Sequence, residues 1–268
     1  MTVVQDDLRT IDVAGVHATL VGSGGPVTLL AHGIGGSVAE TRPLASRLRG
    51  TRVLLEFRGH GRSDALPDGW DYDLLAEDIR EVADSTGATG AVGLSLGSGG
   101  LLRVLSYEPE RFDRLAFVLP AAIDAGRADG ATLRLESLGS AIDSRDVDAV
   151  AGLLVEEVPV DLRERRGTAV LLRRRARQLV ERPSPRPRHP RTAQDRPVPD
   201  RRVLARITAP TLVVGQAGDP LHRLDVAAEL AAALPHAQLL PLPAGGVFWT
   251  AARTVQSALA AHLTPEDT

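Results

Sequence analysis

The stretch from Ala88 to Leu105, Ala-Thr-Gly-Ala-Val-Gly-Leu-Ser-Leu-Gly-Ser-Gly-Gly-Leu-Leu-Arg-Val-Leu, constrains the fold more than any other part of the chain. A short apolar run ends near Gly93, Ser95 follows, and beyond Gly97 the spacing of Leu101, Leu102, Val104 and Leu105 is helical. That pattern is a strand, a sharp turn with serine at its apex, and a helix. Such a turn holds its serine in a backbone conformation costing about 1 to 3 kcal/mol, so it persists only where the surroundings impose it. Gly93 and Gly97 omit the β-carbons that would collide where strand and helix close on one another. The Ser95 hydroxyl then projects from the top of a sheet, and the N–H of Leu96 points from the first helical turn at any anion formed there. This is a position for a nucleophile.

At 268 residues the chain can bury a sizeable core, as one large domain or a core with an insertion. No run of eighteen apolar residues occurs, and Met-Thr-Val-Val-Gln-Asp-Asp has neither the basic nor the apolar part of a signal peptide. The expectation is a soluble, cytoplasmic protein with no membrane partner. With no cysteine, disulfides, thiolate nucleophiles and Cys-type zinc sites are excluded. All 31 basic residues are arginine, which excludes Schiff-base and Ser-Lys chemistry.

Along the chain, Leu8 to Val13 and Val16 to Val21 flank Ala14-Gly15 and predict an antiparallel hairpin. Val27 to Ala31 is a continuous apolar run, the mark of a strand buried on both faces, and Arg52 to Phe57 is the next strand. Helices are predicted over Val38 to Leu48 and Leu74 to Thr86, and a further strand over Leu115 to Leu119. From about Ala121 to Arg206 the chain reads as helices followed by a Pro/Arg tract at Arg182 to Arg202. Alternation then resumes with strand Thr211 to Gly215, helix Val226 to Leu234, strand Gln238 to Leu242 and helix Trp249 to Leu263. Strands alternating with helices imply an α/β fold, a mostly parallel sheet flanked by helices. The predicted division is a core of residues 1–120 and 207–268 with a helical, Arg-rich cap of residues 121–206.

Loops leaving the carboxyl ends of parallel strands share one face, where ligands bind. Here they are His32 to Gly36, Arg58 to Asp64, the Ser95 turn, and Gly215 to His222. Four pieces in this order, His32-Gly33, Arg58-Gly59-His60-Gly61-X-Ser63, Gly93-X-Ser95-X-Gly97 and Gly215-X-X-X-Asp219, resemble the α/β-hydrolase superfamily over almost the whole chain. The resemblance implies an eight-strand-type sheet and a serine hydrolase. Ser95 would be the nucleophile, the N–H groups of Ile34 and Leu96 the oxyanion hole, and Asp219 the acid orienting a histidine. In that family the counterparts of His32, Arg58 and His60 support loops rather than perform chemistry. Glu56 stands where aspartate is more usual.

The family's histidine normally follows a glycine after the last strand, and that place falls here on Gly246, in Leu242-Pro243-Ala244-Gly245-Gly246-Val247-Phe248-Trp249. His236 and His262 fall about 20 Å from the catalytic face by strand and helix rise, and His17 sits in the hairpin. His32, His60, His189 and His222 remain. His222 follows Asp219 by three residues, close enough to pair but short of room to reach Ser95 as well; it is the possible substitute base. Without one, a serine is nearly inert, because removing the triad histidine costs on the order of a millionfold in turnover.

Between Asp161 and Arg206 lie fifteen arginines and five acids. Such a segment is either a solvated arginine face or an anion-attracting lid suited to carboxylate- or phosphate-bearing substrates. The slightly acidic whole chain and the absence of interleaved aromatics argue against nucleic acid. The expected partner is a small molecule, in a pocket of His32, Gly33, Trp70, Phe248 and Trp249, with no cofactor and no metal. Three functions fit: hydrolysis of an ester, lactone or thioester; ligand binding without turnover, as in the gibberellin receptors, which share the fold resemblance and lack the histidine; or a lyase or cyclase reaction in the same pocket.

Overall fold

The computed structural model describes residues 8–67, 69–125, 129–181 and 196–264. Its strands are β1 (Leu8–Val13), β2 (Val16–Val21), β3 (Val27–Ala31), β4 (Thr51–Glu56), β5 (Gly90–Leu94), β6 (Arg114–Val118), β7 (Thr211–Gln216) and β8 (Ala237–Leu242). They form one sheet in the order β1-β2-β4-β3-β5-β6-β7-β8. The β1–β2 hairpin turns on Ala14 and Gly15, both at positive φ (49° and 80°), the geometry that matches the twist of paired strands. β2 pairs with both β1 and β4 in antiparallel fashion, and every later pairing is parallel.

The central strands are buried on both faces because consecutive residues are apolar. Leu29, Leu55, Ala91, Phe117 and Val213 enter one core, beneath α2 (Tyr72–Thr86) and α3 (Leu96–Tyr107). Their neighbours Leu30, Leu54, Val92, Ala116 and Val214 enter the other, beneath α1 (Val38–Leu44) and the last helix, α9 (Ala252–Leu263). The helix after β7 is α8 (Leu224–Ala233), whose Ala227 and Leu230 join the first core.

Between β6 and β7 lie α4 (Asp129–Asp143), α5 (Val147–Leu154), α6 (Val160–Arg163) and α7 (Arg166–Glu181). They bury a cluster of their own, built on Ile142, Val150, Leu154, Leu172, Ala176 and Leu179. The flanks of this segment pack elsewhere: Ile123, Val198 and Leu204 belong to the sheet's core, and Val198 N–H donates to the Ile123 carbonyl at 2.9 Å. Most of the Pro/Arg tract, with His189, lies outside the described residues.

Two predicted helices are shorter than expected. The first stops at Leu44 and tightens into a 3₁₀ turn over Ala45–Arg47. The last does not begin at Trp249: Gly246–Thr250 is a π-turn, closed by Ala251 N–H on the Gly246 carbonyl at 2.7 Å, and α9 follows it. Gly245, at φ 69°, gives the reversal that starts this turn, and periodicity of side chains does not register such a change of winding.

Candidate active site

Ser95 has φ 51° and ψ −107°, between the end of β5 and the start of α3. The strain is imposed from both sides. Ser95 N–H donates to the Val118 carbonyl at the end of β6 (2.9 Å), and Gly97 N–H to the His32 carbonyl beyond β3 (3.1 Å). A β-carbon on Gly93 would lie 2.6 Å from the Gly97 carbonyl oxygen, and one on Gly97 would lie 2.7 Å from the Ala31 carbonyl carbon. Ser98 ties the turn from below, its hydroxyl donating to the Gly93 carbonyl at 2.7 Å.

The loop after β7 brings the other groups to this hydroxyl. Asp219 Oδ1 accepts the N–H groups of Leu221 (2.8 Å) and His222 (2.9 Å), a side-chain-capped turn that fixes the direction of the His222 ring. Asp219 Oδ2 then meets His222 Nδ1 at 3.0 Å, and His222 Nε2 lies 2.8 Å from Ser95 Oγ. Three residues of separation are thus enough for both contacts, because the carboxylate caps the turn with one oxygen and orients the ring with the other. The tautomer with its proton on Nδ1 leaves Nε2 free to accept the serine proton. The exposures of the His222 and Asp219 side chains are 14% and 7%. Burial pushes the Asp219 carboxyl upward, but the His222 ring and the two backbone donors outweigh it and hold the group below its ordinary range.

Gln216, the last residue of β7, completes the support: its amide nitrogen donates to Asp219 Oδ2 (2.9 Å) and its oxygen accepts Val247 N–H (3.2 Å). The turn where the histidine was first sought therefore braces the acid. Gly246 itself is buried and closed, since a β-carbon there would lie 2.7 Å from Leu242 Cβ.

Neither Ile34 N–H nor Leu96 N–H has a hydrogen-bond acceptor among the described residues. Gly33 brings the first of these loops against the serine, a methyl on it lying 3.4 Å from Ser95 Cβ. His32 does not line a pocket: it is fully buried, Nδ1 donating to the Gly33 carbonyl (2.7 Å) and Nε2 accepting Phe57 N–H (3.2 Å). His60 is engaged likewise, Nε2 accepting Gly35 N–H (3.2 Å) and Nδ1 facing the Arg58 carbonyl (3.2 Å). With both ring nitrogens occupied, each holds the Gly33–Gly36 loop in place rather than being free to take up a proton. Arg58 bonds Asp78 on α2 through Nε (2.7 Å). Glu56 accepts Arg62 N–H (3.1 Å), its carboxyl filling the hollow left by the missing side chain of Gly61.

Of the predicted pocket aromatics, Trp70 packs against the sheet's core and Trp249 against the helical insertion, while Phe248 is 47% exposed. Beside His222, Leu221 shares a narrow cleft with Leu135, Leu138, Leu153, Leu154, Arg134 and Glu157 of the insertion. Among the described residues there is no helix long and apolar enough to cross a membrane.

The eight-stranded sheet and its flanking helices match known proteins. A family model described as α/β hydrolase fold matches residues 26–138. Over 95% of this chain and 98% of the other, the structure superposes on an esterase from Exiguobacterium antarcticum with a TM-score of 0.69 at 20% identity. The chain has the α/β-hydrolase fold. A carboxylesterase from Bacillus subtilis shares this α/β-hydrolase architecture with a TM-score of 0.77 at 18% identity, covering 99% of this chain and 94% of that one. In sequence, a Synechocystis protein that carries a non-heme chloroperoxidase name is 32% identical over 126 residues, 45% of this chain. That match spans 44% of the relative's own length.

Buried neutral histidines make the Gly33–Gly36 loop acid-sensitive. Burial lowers the His60 pKa to about 4, and lowers that of His32 well below its ordinary value. An unfolded chain protonates these rings near pH 6.5, so their contribution is complete above that pH and is lost as pH falls through the folded-state value. Between pH 7.5 and 5.0 the His60 share of this loss is about 2 kcal/mol. Urea unfolding at the two pH values is expected to show a drop smaller by about that amount in His60→Gln than in wild type; equal drops would rule the coupling out.

Proposed function

We propose that the protein is a serine hydrolase of a carboxylic ester, lactone or thioester. The observation that carries this reading is the continuous line from Asp219 Oδ2 through the His222 ring to Ser95 Oγ, with contacts of 3.0 and 2.8 Å. Ser95 Oγ attacks the acyl carbon as its proton passes to His222 Nε2, and Asp219 stabilises the imidazolium that forms. The developing oxyanion faces the N–H groups of Ile34 and Leu96, at the amino end of α3. His222 returns the proton to the leaving group, and water then repeats the sequence on the acyl-serine.

The esterase and carboxylesterase names of similar folds agree with this chemistry. The ligand-binding alternative was motivated by the lack of a base, and His222 removes that motive. The test is labelling with a fluorophosphonate probe alongside p-nitrophenyl ester turnover. Stoichiometric labelling of wild type and none of Ser95→Ala is expected; no labelling of either would overturn the reading.

A further inference from the structure

Helix α7 carries five arginines, and four of them are exposed. Its buried stripe is Thr168, Leu172, Ala176 and Leu179. Arg175 comes three residues after Leu172 and four before Leu179, so helical geometry places it along this inner stripe. Its exposure is 27%, and its Nη2 donates to Glu40 Oε1 on α1. Among the described residues Glu40 is its one hydrogen-bond partner. A guanidinium has five N–H donors, so most of its capacity is unused.

Glu40 fixes where this guanidinium lies. Its other carboxylate oxygen rests in the Gly33–Gly36 turn, and a methyl on Gly33 would lie 3.9 Å from Glu40 Oε2 and 3.4 Å from Ser95 Cβ. The ion pair therefore sits beside the serine, over the loop bearing Ile34 N–H. Burial raises the Glu40 carboxyl above its ordinary range, which makes it ready to take up a proton when a second carboxylate approaches.

Resting on the hydrolase reading above, we propose that Arg175 anchors a carboxylate of the substrate, and that the substrates are half-esters or half-thioesters of short dicarboxylic acids. Glu40 occupies one edge of the guanidinium in the free protein, and the substrate carboxylate takes the remaining donors as a bidentate pair. The reacting carbonyl then reaches Ser95 while the charged end is held under α7. Among the five arginines of α7, Arg175 is the one that is not exposed.

The test compares kcat/KM for p-nitrophenyl hemisuccinate and for p-nitrophenyl butyrate, which has the same chain length without the charge. Wild type is expected to favour the hemisuccinate by about tenfold or more, the value of a charge-assisted bidentate contact. Arg175→Gln is expected to erase that ratio, chiefly through KM, and Arg175→Lys to retain part of it. An unchanged ratio in Arg175→Gln would overturn the proposal and leave the ion pair as a tie between insertion and core. A second readout is independent of turnover: calorimetric titration of Ser95→Ala with succinate, expected to show binding that Ser95→Ala/Arg175→Gln lacks. Arg175-dependent binding without ester turnover would sink the hydrolase reading and keep the anchor. Ser95-dependent turnover with no charge preference and no succinate binding would do the reverse.

Discussion

Replacing His222 by alanine is expected to lower kcat toward a p-nitrophenyl ester by about 10⁵- to 10⁶-fold, leaving only what the oxyanion donors and binding supply. The expectation follows from the ring's two contacts, 2.8 Å to Ser95 Oγ and 3.0 Å to Asp219 Oδ2. No other described histidine has a free ring position near the serine: His32 and His60 are committed to the Gly33–Gly36 loop, and His262 bonds the Leu115 carbonyl at the far end of β6. Asp219→Asn is expected to cost less, about 10⁴-fold, since the ring survives in the wrong tautomer. Adding Gly246→His to His222→Ala is expected to restore nothing. The new β-carbon would press on Leu242, and displacing Val247 would loosen Gln216 and hence Asp219. Steady-state rates of the three variants, with circular dichroism to exclude unfolding, settle the matter. A His222→Ala enzyme within tenfold of wild type would remove this histidine from the mechanism.

The sheet was legible because its rules are local. The hairpin strands Leu8–Val13 and Val16–Val21 and the buried run Val27–Ala31 are where alternation and turn chemistry put them, and the Gly93–Gly97 spacing located the serine turn. The proposed base, His222, was less legible. A motif placed it after β8, at Gly246, whereas the carboxylate that orients it forms a capped turn after β7. Whether a ring three residues from its carboxylate also reaches a serine two strands away depends on the path of the loop, which is tertiary. Gln216 looks like an ordinary strand end until Val247 and Asp219 are seen on either side of it. Arg175 was hidden among fifteen arginines, although the stripe Leu172, Ala176, Leu179 was a signal that could have separated it from Arg173, Arg174 and Arg177. Glu40 carried no signal, because only the folded Gly33–Gly36 turn gives its carboxylate a seat.

Gly97→Ala is expected to destabilise the protein by more than about 3 kcal/mol, toward the upper end for overpacking, while Gly100→Ala on the same helix stays within about 1 kcal/mol. The two sites differ in what a methyl meets. At Gly100 the nearest atoms are Ile79 Cδ1 at 3.1 Å, which a rotamer shift can relieve, and Leu75 Cβ at 3.2 Å, which needs α2 to give by only a few tenths of an ångström. Replacing glycine in a helix interior also recovers up to about 1 kcal/mol of conformational entropy there. At Gly97 the methyl would overlap the Ala31 carbonyl, main chain inside a parallel ladder, with Ala31 paired to Leu55 and Gly93 on either side. That backbone cannot move without shifting His32, whose carbonyl accepts Gly97 N–H at 3.1 Å, and with it the loop carrying Ile34. Stability and turnover should therefore fall together in Gly97→Ala, with a Tm lower by roughly 6 to 12 °C, and neither should fall appreciably in Gly100→Ala. Thermal melts and ester kinetics on both variants test the claim. Equal melting temperatures would mean that the serine turn is not held by close approach of α3 to β3, and its strained φ would need another origin.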